Sequence, residues 1–250
     1  MNPLFSIITV TYNAGDLLIP TMDSVSSQTC RDYEYVIVDG KSKDHTLQII
    51  ESRKDEVSAF ISEPDKGIYD AMNKALQITR GEYILFMNAG DTFHSPETLS
   101  LIREQIGDQR PDVIYGETAI VGEDGHFIGM RRLRTPETLT WKSFKQGMLV
   151  CHQSFMPKRI LCEPYNLKYR YSADFDWCIR ILKKSRQTFN THLIISNFLE
   201  GGVSTSQRKK SLNERYEIMA TYYGRIPTIL RHIWFAIRFG FAKYITRKVN

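Results

Sequence analysis

The sequence has few cysteines, and no two of them lie close together. Four cysteines occur among 250 residues, and none forms the CxxC pair used by zinc sites and thioredoxin-like redox motifs. The four positions are Cys30, Cys151, Cys162 and Cys178. This spacing does not indicate a disulfide framework and predicts buried free thiols in a reducing compartment.

Long apolar runs are also absent. No stretch reaches the roughly 18 uncharged apolar residues that a membrane-spanning helix requires. The first three residues lead into an apolar run without the basic segment and small-residue cleavage site of a secretory signal. We therefore expect a cytoplasmic protein.

Acidic residues are missing from the last part of the chain. Residues 218–250 contain six lysines and arginines and no aspartate or glutamate, whereas the whole chain carries a net charge of +5. The rest of the chain is therefore close to neutral. A basic tail on a neutral body predicts an anionic surface as a partner and argues against nucleic-acid binding.

The first hundred residues alternate strand-like and helix-like segments. Predicted strands are Phe5–Val10, Tyr35–Val38, Ser58–Ile61 and Tyr83–Met87, and predicted helices are 15–28, Asp44–Arg53, Lys66–Thr79 and 96–106. The strands are continuous apolar runs, as in sheets covered on both faces. The pattern therefore predicts an α/β fold with a mostly parallel sheet flanked by helices.

The second half of the chain is less regular. A fifth strand is predicted at Asp112–Tyr115, a hairpin at Thr118–Met130 and a helix at Ser172–Lys184. We predict a nucleotide-binding half at 1–115, an acceptor-side half at 116–205 and a basic, amphipathic helical segment at 206–250.

Polar clusters follow three of the predicted strands. They are Thr11-Tyr12-Asn13, Asp39-Gly40-Lys41-Ser42 and Asn88-Ala89-Gly90-Asp91. The carboxyl ends of parallel strands share one edge of the sheet, where ligands bind in open α/β folds. A carboxylate at a buried strand end is costly unless it is paired or binds a ligand, so the clusters predict a site. The alternative is that both aspartates form turns or caps.

Three runs of residues in this region carry a family resemblance. They are ITVTYNAGDLLIPTMDSVSSQT, YEYVIVDGKSKDHT and SEPDKGIYDAMNKALQITRGEYILFMNAGD, and they span roughly residues 4–95. Their order and spacing resemble the family 2 inverting glycosyltransferases of bacterial polysaccharide biosynthesis. The resemblance implies a GT-A fold, which is Rossmann-like, with an acceptor-side extension and C-terminal helices.

The resemblance also implies roles for the donor-side residues. Thr11, Tyr12 and Asn13 match the segment along the nucleobase. Asp39 matches the aspartate that hydrogen-bonds the base or ribose. Asp65 and Lys66 match a loop that closes over the nucleotide, although Lys66 is equally well interpreted as a solvated lysine at a helix start.

Asp91 matches the last aspartate of the family's DXD metal motif, which implies Mn²⁺ or Mg²⁺ bound to the donor diphosphate. The sequence departs from the commoner form because Gly90 occupies the penultimate position. Asn88 and Ala89 are matched to the donor sugar, and the alternative for Asn88 is that it orients a water molecule on the metal. The Gly-rich stretch 201–204 lacks the histidine that relatives frequently carry there, so no third protein ligand is assigned.

The acceptor-side motif is the run Tyr171-Ser172-Ala173-Asp174-Phe175-Asp176-Trp177. Asp174 matches the general base of the family, and Asp176 is the alternative. His152 lies in a stretch that matches the wall between donor and acceptor sites, either as a hydrogen-bonded wall residue or as a donor-sugar contact.

The last segment carries an apolar stripe at helical spacing. It consists of Leu230, Ile233, Trp234, Ile237, Phe241, Tyr244 and Ile245, flanked by Arg231, Arg238, Lys243 and Arg247. One interpretation is peripheral binding to an anionic membrane at the inner face. The other is packing on the protein's own core.

The expected function is metal-dependent, inverting transfer of a hexose or N-acetylhexosamine from a nucleotide sugar, UDP being favoured, to a hydroxyl of a glycan or lipid-diphosphate-linked sugar. One alternative is a nucleotidyltransferase, although the loop after strand one has no lysine or arginine to cradle a phosphate. The other is an inactive carbohydrate-binding relative.

Overall fold

The computed structural model describes residues 2–201 and 207–235. The strands are β1 (Phe5–Thr11), β2 (Tyr33–Asp39), β3 (Ala59–Ser62), β4 (Tyr83–Phe86), β5 (Thr92–Phe93), β6 (Val113–Val121), β7 (Phe127–Met130), β8 (Phe155–Pro157) and β9 (Thr188–Leu199). The helices are α1 (Gly15–Ser26), α2 (Thr46–Ser52), α3 (Ile68–Ile78), α4 (Thr98–Ile106), α5 (Ala173–Lys184) and α6 (Arg208–Tyr223). Residues 225–235 are also helical, and we refer to them as the outer helix.

The first sheet has four parallel strands in the order β3-β2-β1-β4. The register pairs Thr11, the last residue of β1, with Asp39, the last residue of β2. Every residue of β1 is buried, as its uninterrupted apolar run predicts. The α/β prediction is confirmed here, and the predicted strands lie within two residues of the observed ones at each end.

The second sheet is mixed. Its order is β5-β9-β6-β7, and β8 also pairs with β6. The predicted hairpin is confirmed as the antiparallel pair β6–β7. The central strand β9 was not predicted, because polar residues interrupt its apolar pattern and His192 has a left-handed φ of 56°. The predicted division at residue 115 falls inside β6 and stays a prediction.

Apolar side chains on the two faces of the first sheet form two cores. Ile8 and Val38 face one core, together with side chains of α3, α5 and α6. Ile7 and Ile37 face the other, together with side chains of α1, α2 and α4. Because side chains alternate along a strand, burial on both faces requires helices on both sides and leaves the strand ends as the place for polar groups.

The C-terminal helices cover the side of the molecule that carries α5. Helix α6 contacts α5, and Phe235 of the outer helix packs against the same core as Ile218 and Met219 of α6. Within residues 2–201 and 207–235, no helix is both long enough and apolar enough to span a bilayer. The rest of the predicted apolar stripe, from Ile237 to Ile245, lies outside the described residues.

Candidate active site

Asp39 ends β2 with a side chain that neighbouring hydroxyls hold in place. Its carboxylate accepts hydrogen bonds from the Ser42 amide at 2.9 Å and from the Ser62 hydroxyl at 2.6 Å. The Ser42 hydroxyl donates a further short hydrogen bond to the same carboxylate. Three donors on a fully buried carboxylate fix its orientation at the end of the strand and leave one of its four lone-pair sites free.

Tyr12 and Asp65 meet over Gly40, the residue that follows Asp39. A Cβ atom added to Gly40 would contact the Asp65 carboxylate and would lie 3.2 Å from Cδ2 of Tyr12. Tyr12 is 59% exposed, so much of this aromatic residue is open to solvent. The Gly67 amide donates to Oδ1 of Asp65 at 2.7 Å, which holds the loop before α3. Three predicted nucleotide-binding positions are therefore adjacent.

The loop after β1 is tied to the loop after β2. Asn13 has a left-handed φ of 47°, its amide donates to the Ser42 hydroxyl at 2.8 Å, and its side-chain oxygen accepts from the Lys43 amide at 2.8 Å. Lys66 is exposed, and its amide donates to the Asp70 carboxylate at 2.9 Å. Asn13 thus joins the two loops, whereas the side chain of Lys66 is exposed at the start of the loop before α3.

Two buried oxygens at this edge of the sheet have no hydrogen-bond partner among the residues described. They are the Thr11 hydroxyl at the end of β1 and the Asn88 amide oxygen just beyond β4. Strands β1 and β4 are neighbours in the sheet, so both oxygens belong to the same edge. Buried polar atoms are rarely left unpaired, and this pair marks a place where a polar ligand would complete the hydrogen bonding.

Asp91 is buried, and two neighbouring groups hydrogen-bond its carboxylate. Its carboxylate accepts hydrogen bonds from the Gln153 side-chain amide at 2.6 Å and from the Leu199 backbone amide at 3.0 Å. Burial raises the pKa of Asp91 to about 7, because the charged form loses its hydration and the two hydrogen bonds offset only part of that loss. Ala89 precedes it and is half-buried.

The protein supplies few ligands for a divalent ion at Asp91. No group of three or more His, Cys, Asp or Glu side chains is arranged to hold a metal in residues 2–201 and 207–235. The Asp91 carboxylate and the unpaired Asn88 oxygen are hard oxygen ligands. Mg²⁺ typically uses one or two carboxylates and takes its remaining ligands from water and substrate phosphates, so this donor set is compatible with a diphosphate-bound ion.

Asp174 and Asp176 lie in the first turn of α5 but have different surroundings. Asp174 is half-buried and accepts a hydrogen bond from the Tyr69 hydroxyl at 3.0 Å through one oxygen. Asp176 is buried, pairs with Arg180 at 2.8 Å and accepts from the Tyr222 hydroxyl at 2.7 Å. The Asp176 carboxylate is occupied by an ion pair inside the fold, whereas Asp174 keeps an oxygen with no partner among the described residues.

His152 is enclosed by aromatic rings. It stacks on Phe86 at 5.1 Å, meets Trp177 edge-on, and its Nε2 lies 2.6 Å from the Tyr165 hydroxyl. Burial lowers the pKa of His152 to about 4, so the imidazole is neutral at physiological pH. Both interpretations of His152, as a wall residue and as a donor-sugar contact, stay predictions.

A continuous series of contacts joins the Asp91 and Asp174 surroundings. Gln153 bonds Asp91, and its neighbour His152 bonds Tyr165. The Tyr165 ring stacks on that of Tyr69 at 5.4 Å, and Tyr69 donates to Asp174. Tyr69 lies in α3, which follows the loop of Asp65. These contacts connect the surroundings of Asp91 and Asp174, and Asp39 lies at the carboxyl end of β2 in the first sheet. A single pocket shared by the three aspartates stays a prediction.

Sequence reasoning missed several residues that position these groups. Glu214 of α6 accepts the backbone amides of Arg170, Tyr171 and Ser172, at 2.8 to 2.9 Å, immediately before Asp174. Gln153 and Tyr69 are the partners of Asp91 and Asp174. No local pattern marks these three side chains, because each acts on a group more than 40 positions away along the chain.

The chain is similar to known proteins over most of its length. The sequence pattern of Glycosyl transferase family 2 matches residues 6–162. A PGL/p-HBAD biosynthesis glycosyltransferase of Mycobacterium tuberculosis is 32% identical over 241 residues, which cover 93% of this chain and 91% of the relative. The amylovoran biosynthesis glycosyltransferase AmsB of Erwinia amylovora is 26% identical and covers 70% of this chain and 63% of the relative.

Solved structures share the fold. TarS of S. aureus superposes with a TM-score of 0.71 at 18% identity, over 96% of this chain and 74% of TarS. Its complex with UDP-GlcNAc gives 0.69 at 20% identity over 88% of this chain and 65% of TarS. A Pyrobaculum calidifontis mannosyltransferase with GDP-Man and Mn²⁺ gives 0.64 at 14% identity over 95% and 76%.

The family pattern covers more than half of the chain, and the mycobacterial relative matches nearly all of it. The fold expected from the sequence is the fold of the solved transferases. The chain therefore belongs to glycosyl transferase family 2 and is a GT-A-fold glycosyltransferase of glycan biosynthesis.

Proposed function

We propose that this enzyme transfers a hexose or N-acetylhexosamine from a UDP-sugar to a hydroxyl of a glycan or lipid-linked sugar, with inversion and with a divalent ion. The observation that carries the proposal is the series of contacts that joins the surroundings of Asp91 to those of Asp174, with Asp39 at the carboxyl end of β2. Such an arrangement suits a nucleotide, its diphosphate and an acceptor hydroxyl bound side by side.

Nucleotide binding is assigned to the edge formed by β1 and β2. The oriented Asp39 carboxylate has a free lone pair that can accept from the N–H of uracil or from a ribose hydroxyl. The exposed ring of Tyr12 offers a stacking face to a base, and the unpaired Thr11 hydroxyl offers a further polar contact. The UDP-GlcNAc complex of TarS, which has the same fold, supports a uridine donor.

Asp91 and the Asn88 amide oxygen are the groups that would hold Mn²⁺ or Mg²⁺, with phosphate and water oxygens as the other ligands. When bound, the ion neutralises negative charge that develops on the departing diphosphate. Gln153 and the Leu199 amide fix the orientation of the Asp91 carboxylate through one hydrogen bond to each of its oxygens. The Mn²⁺ complex of the Pyrobaculum enzyme supports metal use in this fold.

Asp174 is assigned as the general base. The Tyr69 hydroxyl holds one carboxylate oxygen, which leaves the other to take the proton of the acceptor hydroxyl. The acceptor oxygen attacks the anomeric carbon on the face opposite the diphosphate, the new glycosidic bond forms as the bond to the diphosphate breaks, and the configuration inverts. Asp176 is assigned a structural role, because Arg180 and Tyr222 already use its carboxylate.

The test is a panel of UDP-, GDP- and dTDP-sugars with and without Mn²⁺. We expect one UDP-sugar to raise the thermal midpoint in the presence of Mn²⁺ and to undergo slow metal-dependent hydrolysis. Nuclear magnetic resonance of the product formed from an α-linked donor should show a β-linkage. Release of pyrophosphate from a nucleoside triphosphate, retention of configuration, or binding of GDP-sugars alone would contradict the proposal.

A further inference from the structure

The outer helix presents apolar side chains on two opposite sides. On the inner side, Thr228 is buried, and Phe235 packs on the core. His232 lies on the same side and meets Tyr216 of α6 and Phe235 edge-on. These contacts anchor the helix to the rest of the protein, so its outer side is held in a defined orientation.

The outer side of this helix carries five large apolar residues. They are Ile226, Ile229, Leu230, Ile233 and Trp234, with exposed fractions between 45% and 73%. Their spacing of three, four, seven and eight residues from the first places them on one face of an α-helix. We refer to these five residues as the outer face. Of the two interpretations of the C-terminal stripe, packing on the core does not apply to its described members Leu230, Ile233 and Trp234.

A contiguous apolar surface of this kind is uncommon on a soluble monomer and marks an interaction site. Arg225 and Arg231 border the outer face on its two sides, as the helical period of 3.6 residues places them about 100° and 140° from Ile226. An apolar arc bordered by arginines, with a tryptophan in the arc, is the pattern of helices that lie in the headgroup region of a membrane.

Charge distinguishes a lipid surface from a second copy of the chain. Residues 218–250 contain six basic and no acidic residues, so two outer faces brought together would oppose positive charge with positive charge. An anionic bilayer supplies the complementary charge and accommodates the apolar side chains. We infer that the outer face is a docking surface for anionic membranes and lies in the plane of the lipid headgroups.

This inference connects with the catalytic region through α6. The outer helix follows α6 directly after Gly224, and α6 carries Glu214, which holds the segment before Asp174. The outer helix and the segment before Asp174 are thus both attached to α6. The docking itself does not depend on the donor sugar, so its failure and the failure of the proposed function are separable.

The experiment measures binding of the full chain to vesicles in the absence of nucleotide. One set consists of phosphatidylcholine with about one third phosphatidylglycerol, and the other of phosphatidylcholine alone. We expect co-sedimentation with the anionic vesicles, at least about tenfold weaker binding to the neutral ones, and loss of binding in high salt. The fluorescence of Trp234 should shift to shorter wavelength on binding, and Trp234→Phe should remove that shift.

Matched variants test the surface. Leu230→Gln with Ile233→Gln should reduce binding at least about tenfold, and Arg225→Gln with Arg231→Gln by a similar factor, since each basic residue near an anionic surface contributes about fivefold. Ile160→Gln is the control, because Ile160 is 89% exposed at a different site and its loss should leave binding unchanged. Circular dichroism and donor hydrolysis should be unchanged in all variants.

Three outcomes would overturn the inference. The first is no binding of the wild-type chain to anionic vesicles, and the second is equal binding of wild-type and Leu230→Gln/Ile233→Gln proteins. The third is a dimer of the wild-type chain in sedimentation velocity that becomes monomeric in the same variant, which would identify a second copy as the occupant. Donor hydrolysis measured on the same samples would show separately whether the active site is functional.

Discussion

The donor side and the acceptor side of the site are stabilised in different ways. Asp39 is held by Ser42 and Ser62, which lie 3 and 23 positions away in the first sheet and its loops. Asp174 is held by Tyr69, 105 positions away, and its segment is held by Glu214 of α6. The surroundings of Asp39 are therefore built from nearby parts of the chain, whereas Asp174 depends on distant ones, as does Asp91 through Gln153 and Leu199. Changes far from the chemistry should therefore affect transfer more than donor binding.

The largest expected effect is on the transfer rate of an Asp174 variant, with donor binding almost unchanged. Asp174→Asn should lower the transfer rate by about 10² to 10⁴, because general-base catalysis is lost. Donor affinity should change less than about twofold, since the hydrogen bond that Asp174 accepts comes from Tyr69 and not from a residue assigned to the donor. Single-turnover rates and calorimetric titration with the UDP-sugar measure the two quantities. Asp176→Asn is the control, and we expect it to lower the thermal midpoint with a much smaller loss of transfer rate. A larger loss of transfer rate in Asp176→Asn than in Asp174→Asn would contradict the assignment of Asp174 as the base.

A second effect concerns the buried Asp91 carboxyl in metal-free protein. Its pKa in the folded state is about 7, compared with an ordinary value of 3.8 for an aspartate in water. Between these values the folded protein keeps a proton that the unfolded chain has released, so the free energy of unfolding should decrease as pH rises. The total contribution is about 4 kcal/mol at most.

Denaturant unfolding between pH 5 and 8, with a chelator present, measures this slope. Asp91→Asn should remove most of it, because an amide does not titrate in this range. Mn²⁺ should restore stability of the wild-type protein at pH 8 and not that of the variant. Equal slopes for the two proteins would show that Asp91 does not titrate as its burial implies.

On the donor side, Asp39→Asn should weaken UDP binding by about 10- to 100-fold, the equivalent of losing a hydrogen bond to a charged group. The transfer rate at saturating donor should fall by less than about threefold, which is the opposite pattern to Asp174→Asn. Calorimetric titration with UDP provides the measurement. Ser62→Ala removes one of the three donors to Asp39 and should give a smaller loss; equal affinities for all three proteins would place the nucleotide elsewhere.

The smallest expected effect concerns Glu214 of α6, which holds the segment before Asp174. Glu214→Gln keeps the shape of the side chain but weakens its hold on three backbone amides, and the transfer rate should fall about tenfold as Asp174 loses its position. UDP affinity should not change. Glu217→Gln on the same helix is the control, because Glu217 is exposed and pairs with Lys168 at the surface. A similar loss in both variants would indicate general weakening of α6.

Much of the first sheet could be predicted because its information is local. Strands such as β1 and β2 are uninterrupted apolar runs, and their boundaries follow from the polar clusters after them. The strand β9 could not be predicted in the same way, because its position depends on pairing with β5 and β6 rather than on its own pattern. The same holds for the candidate site. Asp39 could be predicted because it ends an apolar strand, whereas the contact of Gln153 with Asp91 joins distant segments and could not.

The parallel α/β core, the family, and the positions of Asp39, Asp91 and Asp174 along the chain all follow from the order of the residues alone. The folded arrangement was needed to show which of Asp174 and Asp176 keeps a free oxygen, and which helical face of residues 225–235 is left uncovered. The periodicity of strands and helices depends on residues that are close together in the sequence. The partner of a buried carboxylate, or the residues that cover an apolar face, come from distant parts of the chain that only folding brings together.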